Sequence, residues 1–512
     1  MNKRLSILMI PVMMLLAASL ACQLSSFIPQ AEPTATPTLA PTLTPTPNVP
    51  RTVRVAPDGS GDIPTLNQAV EELAAGSTIL LDAGTYYLPA TLSIHQSLTL
   101  QGAGKDATII TSSDPNGVLD FNGPGNIVLR GIHFEYLGVE WTYVVEMTNA
   151  GFEVRDCRFS GGVRNLDEEK GGSGLFITET GNGCVMDSHF VDNQHHGLAI
   201  GGQINVLVDK CTFETNGSVG MGFWGDSVGT VRDSKSFNNG KNGFLTHEQS
   251  SATFENNLAH HNDEFGFVSY GTSSLKAVNN ESYENLLSGF SIQDQSQATL
   301  EKNLSYQNTQ SGFNGFGDAI IVAQNNQAYE NGSYGFSSFD QVSGYYEKNL
   351  AYQNESHGFS ALDNSVMTAI GNEAYENLFS GFTSSAQAEA TFENNLAYGN
   401  TDSGFVAFEE STLEATNNQS SQNGLQGFTT TDQANGVFYN NKAFQNTESG
   451  FVAFKDSLMG GVDKQAYQNG INGFSTTYQA YGAFENCSSF KNEELVFATF
   501  GDYSMVVWDS NA

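Results

Sequence analysis

Between residues 155 and 235 the chain gathers side chains that can do chemistry. Arg155, Arg158 and Arg164 cluster there, His189, His195, His196, Trp224 and Asp226 follow, and Asp156, Asp187 and Asp233 recur at comparable positions just before a bend. Two carboxylates about 5–10 Å apart can hydrolyse a glycosidic bond, one as acid and the other as base or nucleophile. Asp156, Asp187, His189 and Asp233 are therefore the candidate catalytic residues, although adjacent strands reach that spacing by geometry alone. The insertion Leu166–Gly172 breaks the local regularity, and departures from a repeat often mark function. Elimination on a polyuronate needs a base with Arg, Lys or calcium to neutralise the substrate. Arginines are present at 155–164, but none follows Arg232. The His195–His196 pair falls in a turn and reads as solvated, so no metal ligand is assigned. Calcium is chemically open but has no motif, and no other cofactor is implied.

A second set is aromatic. Tyr283, Tyr306, Tyr329, Tyr352, Tyr375 and Tyr398 recur at steps of 23 and are continued by Phe444, Tyr467 and Phe490. They are the candidate binding residues, as a platform for sugar rings with Gln, Glu and Asn nearby for the hydroxyls. The same column also reads as an exterior stack that only stabilises.

The elements that position these residues follow from one period. Gly recurs in steps of 23 from 174 to 473, an apolar residue follows each one, and Asn recurs in the same step from 193 to 492. Helical repeats are longer, and the leucine-rich pattern is absent. Three short alternating strands per step fit, each lying about 4.8 Å from its copy in the next coil. Two inward positions of the second strand exchange large and small residues from coil to coil, as in Leu275 with Ala277 and then Ala298 with Leu300. A closely packed core of fixed width requires this. A second Asn column runs from 257 to 441 at the bend after that strand, where Asn tolerates a left-handed backbone and can stack in a ladder. Lys464 interrupts it, which predicts local opening. Both Asn columns and the Phe column are structural.

Residues 51–150 read as a cap and first irregular coils, 151–235 as irregular coils, and 236–512 as regular coils. In the cap, Thr65 and Gln68 form a capping box, Leu66, Ala69, Val70 and Leu73 share one helical face, and Gly76 supplies a stop. One amphipathic helix there covers the end of the stack. This segment, with Leu98–Ile110, resembles the start of pectin methylesterases and other pectin-lyase-like proteins. The Asn ladder at the bend resembles that of pectate-lyase-like β-helices. The resemblance implies an all-β, right-handed parallel β-helix. Esterase activity does not carry over, because no Gln-Asp-Thr-Leu and no Gly-x-x-x-Leu-Gly-Arg occurs downstream.

Residues 1–22 read as an export signal, with Lys3 and Arg4 before the apolar run Leu5–Leu16, which is too short to span a membrane. Ser19-Leu20-Ala21-Cys22 resembles the lipobox of bacterial lipoproteins, which implies a lipid on Cys22 and a place on the outer face of the envelope. Ser19 stands where that family prefers Leu, and plain secretion is the alternative. Residues 23–50, rich in Pro and Thr, form an extended stalk.

The net charge is -34, from 55 acids against 21 bases. Nucleic acid is excluded as a partner, since phosphate binding rests on Lys and Arg. An anionic membrane is disfavoured for the same reason, so contact with a membrane is expected only through the anchor. The five cysteines contain no C-x-x-C pair, and spacing selects no disulfide among Cys157, Cys184, Cys211 and Cys487. The expected function is a surface module that binds glycans or partner proteins along the aromatic face without catalysis. The alternative is a polysaccharide hydrolase or lyase with its site at 155–235. Oligomeric state is not legible.

Overall fold

The computed structural model describes residues 49–167, 170–500, 505–508 and 510. The segment read as an export signal, Cys22 and all but the end of the segment read as a stalk lie outside these residues. The described chain divides into two compact units. The first holds residues up to 240 together with 250–252, and the second holds 241–249 and everything from 253. Each is a parallel β-helix.

A coil of the second unit shows the construction. Phe382–Ser384, Glu389–Glu393 and Leu396–Tyr398 are its three strands. Each pairs in parallel with its copy in a neighbouring coil, as Phe359 with Phe382, Glu389 with Thr412, and Tyr375 with Tyr398. Like residues therefore lie above one another. Phe359 and Phe382 stack inside at 4.8 Å with planes 4° apart.

The exchange of large and small residues holds. Leu275 and Ala277 are both buried, as are Ala298 and Leu300 in the next coil. Tyr346 is 1% exposed and shares a 2.9 Å hydrogen bond with Ser338 inside the core. Its ring fills the space over Gly344, where an added Cβ would lie 2.4 Å from it.

Both Asn columns form ladders. In the bend column of the second unit, Asn326 donates through its backbone N at 2.8 Å and its side-chain amide at 3.0 Å to Asn349 Oδ1. The amide of Asn349 reaches Ala323 O and Asn372 Oδ1 in turn. The other column repeats the arrangement, and in the first unit Asn193 bonds Asn216 and Asn216 bonds Asn239. These turns bury backbone N–H groups that water cannot reach, and the ladder supplies their acceptors.

The first unit solves the same bend differently. Cys157 N donates to Ser188 Oγ at 3.1 Å, and Cys211 N to Ser234 Oγ at 3.0 Å. Cys157, Cys211 and Cys487 are buried free thiols, so none of these three forms a disulfide. They are small fillers, and burial holds the first two thiols up at about 12.

At Lys464 the ladder stops and the preceding strand shortens to Leu458–Gly460. The coil stays closed, contrary to the expected opening. Lys464 is fully buried, its Nζ donates to Gly461 O at 3.0 Å, and it lies 4.7 Å from the Phe484 ring centroid. Gly461 takes the small inward position of this coil, which leaves room for the lysine stem.

The predicted helix is Leu66–Glu72, with Gln68 N bonded to Thr65 Oγ1 at 3.2 Å. Leu66, Ala69, Val70 and Leu73 are buried. The Gln68 side chain turns to Glu72 instead of closing the capping box. The helix caps at Leu73, ahead of Gly76.

Candidate active site

The first strand of each coil in the first unit carries one outward residue between two inward apolar ones. In register these outward residues are Ser93, Asp120, Glu146, Phe176, Ala199 and Gly222. The row places two carboxylates on neighbouring strands and follows them with an aromatic ring and two small residues.

Asp120 lies between Leu119 and Phe121, and Glu146 between Val145 and Met147, all four of them buried. The backbone of these strands thus fixes both carboxylates on one face. Strands about 4.8 Å apart hold them at a comparable separation. Both carboxyls are held above the usual carboxylate range. For Glu146 the first cause is burial and the second is the negative charge of Asp120. For Asp120 it is burial, opposed by the nearby His95. Burial and the charge of Asp120 thus both favour the protonated form of Glu146.

Aromatic rings follow the pair along one side of the row, with Phe176 next to Glu146 and Trp224 three strands away at Gly222. Tyr143 packs on Phe176 with centroids 4.5 Å apart. The Trp224 ring lies over Gly222, where a Cβ would come within 2.5 Å of it. His196 packs on Trp224 at 4.9 Å, and His195 on His196 at 3.6 Å. Beside the insertion, Arg164–Asn165 pairs antiparallel with Lys170–Gly171 as a short hairpin of two residues on each side. His195 Nδ1 lies 3.1 Å from Gly171 O. The expected solvated histidine pair is thus packed against the hairpin and Trp224.

The catalytic candidates read from sequence lie elsewhere in the coil. Asp156, Asp187 and Asp233 have φ of 49°, 50° and 50°, the left-handed turn conformation that Asp and Asn accept at low cost. Lys210 occupies the equivalent turn between the last two, with φ 53°. Asp156 pairs with Lys105, and Asp187 with Arg155 at 3.0 Å. His189 sits on the third strand, its Nε2 2.7 Å from Glu214. These partners and backbone angles account for the residues as parts of turns and surface ion pairs. The sequence reading missed Asp120 and Glu146 because the coils there do not keep the step of 23. The available signal was an acid centred in an apolar triplet, Leu-Asp-Phe and Val-Glu-Met.

The tyrosine column stands on the third strand of the second unit. Successive rings from Tyr283 to Tyr398 stack at 4.9–5.0 Å with planes 3–12° apart. His260 covers the outer face of Tyr283 at 4.8 Å. Every face inside the run is spent on a neighbour, and only the far face of Tyr398, over Ser421, lacks a ring. Tyr306 Oη donates to Glu281 at 2.5 Å. A platform for sugar faces needs open faces, and the geometry fits the stabilising stack.

The right-handed beta helix region family model matches residues 143–285, 277–397 and 347–489, more than half of the 512 residues. The chain belongs to this family. Solved structures similar to it include the A-module of the Azotobacter vinelandii mannuronan C-5 epimerase AlgE4, at 15% identity and TM-score 0.30, covering 84% of this chain and 91% of that one. Pectate lyase Pel9A is similar at 17% identity and TM-score 0.34, covering 63% and 79%. Bacteriophage phi29 gene product 12 is similar at 10% identity and TM-score 0.49, covering 86% and 70%. No curated protein matches.

Proposed function

We propose that the first unit binds a polysaccharide along its Ser93–Gly222 row and hydrolyses it between Asp120 and Glu146. The carrying observation is the in-register pair of half-buried carboxylates on neighbouring strands, with Tyr143 and Phe176 beside Glu146 and Trp224 further along the same row. Rings of this kind pack on the apolar faces of sugars, and carboxylates bond their hydroxyls. Glu146 keeps its proton and gives it to the departing glycosidic oxygen. Asp120, ionised, attacks the anomeric carbon. Glu146, now a carboxylate, takes a proton from water as the hydroxide attacks the anomeric carbon and breaks its bond to Asp120, so the sugar leaves and both carboxyls return to their starting states. Carboxylates about 5 Å apart leave no room for a water between them, which predicts retention of configuration. Binding without catalysis is the alternative; the sequence placed it on the tyrosine column, and on the Ser93–Gly222 row it would lack only this step. A surface position through a lipid on Cys22 fits both readings.

Reducing-sugar release and glycan binding by the full chain separate them. Release by wild type that falls more than 100-fold in Glu146→Gln, with binding retained, supports hydrolysis. Binding by wild type with no release from any bound glycan leaves a non-catalytic module.

A further inference from the structure

The second unit contains a cavity of about 300 Å³ on the outer side of its first strands. Its floor comes from the outward residues Thr383, Val406 and Thr429, in register on successive strands. Although they point away from the core, Thr383 is 1% exposed and Thr429 6%, because the turns on both sides rise above them.

One wall is polar. His357 accepts a 3.0 Å bond from Ser380 N at Nδ1, and Ser403 Oγ donates to Gln426 Oε1 at 3.0 Å. The other wall is apolar, with Phe408 and Phe454 two coils apart and the smaller Thr431 between them. Two hydroxyls in the lining, Ser380 Oγ and Thr429 Oγ1, are buried and make no hydrogen bond. Buried hydroxyls without a partner are uncommon and costly. Thr383 is satisfied by contrast, its hydroxyl 2.7 Å from that of Ser360.

Charge narrows the occupant. Among the described residues, Asp402 is the one carboxylate lining the cavity, and no Lys or Arg lines it. In a chain of net charge -34, nothing in this lining would offset a uronate or a phosphate. One aromatic wall facing hydroxyls and amides suits a ring with an apolar face and hydroxyl edges.

We infer that this cavity is a second carbohydrate site, which holds an uncharged sugar residue between the Phe408–Phe454 wall and the Ser380 and Thr429 hydroxyls. The inference takes its ligand class from the proposed function but none of its residues. The site anchors the chain to a neutral glycan without acting on it.

The test is calorimetric titration of the full chain carrying Glu146→Gln and Trp224→Ala, which disable the first unit. Neutral mannohexaose, cellohexaose and maltohexaose are compared with hexagalacturonate. One neutral probe is expected to bind, with affinity reduced at least 10-fold by Thr429→Val and abolished by Val406→Trp, which fills the cavity. Circular dichroism confirms that both variants fold. No neutral binding, tighter binding of hexagalacturonate, or binding untouched by both variants overturns the inference. Reducing-sugar release by Val406→Trp in the otherwise native chain keeps the two proposals apart: it is unchanged if only this site fails.

Discussion

Asp120 and Glu146 stand opposite each other on adjacent parallel strands, and burial together with the charge of the first raises the proton affinity of the second. The proposed hydrolysis needs Asp120 ionised and Glu146 protonated, which predicts a bell-shaped dependence on pH. Asp120→Asn removes the charge that supports Glu146, so the affinity of Glu146 for its proton falls. Stability follows a different course, with no bell. Both carboxyls bind protons more tightly folded than unfolded, so stability is full below the unfolded values and declines as pH rises through the folded ones. Asp120→Asn should raise the melting temperature at pH 7 by a few degrees while release falls at least 100-fold. A lower melting temperature at pH 7 would contradict the assigned shifts.

The Asn ladder should carry a large share of the stability of the second unit. Asn349→Ala strands two donors of Asn326 that share Asn349 Oδ1 and deletes the two bonds its own amide makes. At about 1–3 kcal/mol for each buried group left unpaired, a loss of about 3–5 kcal/mol is expected in urea denaturation. A loss under about 1 kcal/mol, no more than one ordinary hydrogen bond, would mean that the ladder is decorative.

The tyrosine stack should be neutral for binding and needed for rigidity. Changing Tyr329, Tyr352 and Tyr375 together to Ser breaks the middle of the run. Thermal unfolding should fall by several degrees, and glycan affinity in the same preparations should stay within twofold. Affinity lost with the fold intact would restore the platform reading.

Lys464 should weaken the coil it occupies at neutral pH. Burial pushes its amine down to about 8, below an unfolded value of about 10.4. The unfolded state thus binds the proton more tightly, and stability rises with pH between the two values. Lys464→Met keeps the stem and removes the charge, so it should stabilise by about 2–3 kcal/mol at pH 7, read from urea midpoints. Destabilisation would show that the contacts to Gly461 and Phe484 outweigh desolvation.

His357 should make the second unit sensitive to acid. Burial pushes its imidazole down to about 4, against about 6.5 unfolded. Stability is present above the unfolded value and is lost as pH falls from about 6.5 towards 4. His357→Gln should therefore flatten the fall in melting temperature between pH 7 and pH 4.5. An unchanged slope would place the sensitivity elsewhere, His133 included, which burial also holds at about 4.

What the sequence disclosed follows from where its period is strict. From residue 244 onward, Gly, Phe and Asn each keep one step of 23, so strands, inward faces and ladders can be counted off before any coordinates. The first unit has irregular steps: the interval from Asp120 to its partner Glu146 is shorter than the interval from Glu146 to Phe176, and both exceed the regular one. Register there is set by loop lengths that no column reveals, and the carboxylate pair stayed hidden. The tyrosines were legible only in part. Periodicity placed them on one face, but the use of their faces depends on ring orientation, which a sequence does not contain. Lys464 looked like a defect because its compensation, Gly461, lies in a different column.

The alternation of bulky and small residues in the second strand has a further consequence, for how such a protein can change length. Within one coil the two inward positions are complementary, and the next coil carries the reverse order. Excising the single coil that holds Ile321 and Ala323 would set Leu300 directly beneath Tyr346 and Ala298 beneath Gly344, crowding one column and hollowing the other. Excising two coils restores the order at the seam. Lineages of this chain should therefore differ by even numbers of coils, with parity in the core acting as the gate on insertion and deletion.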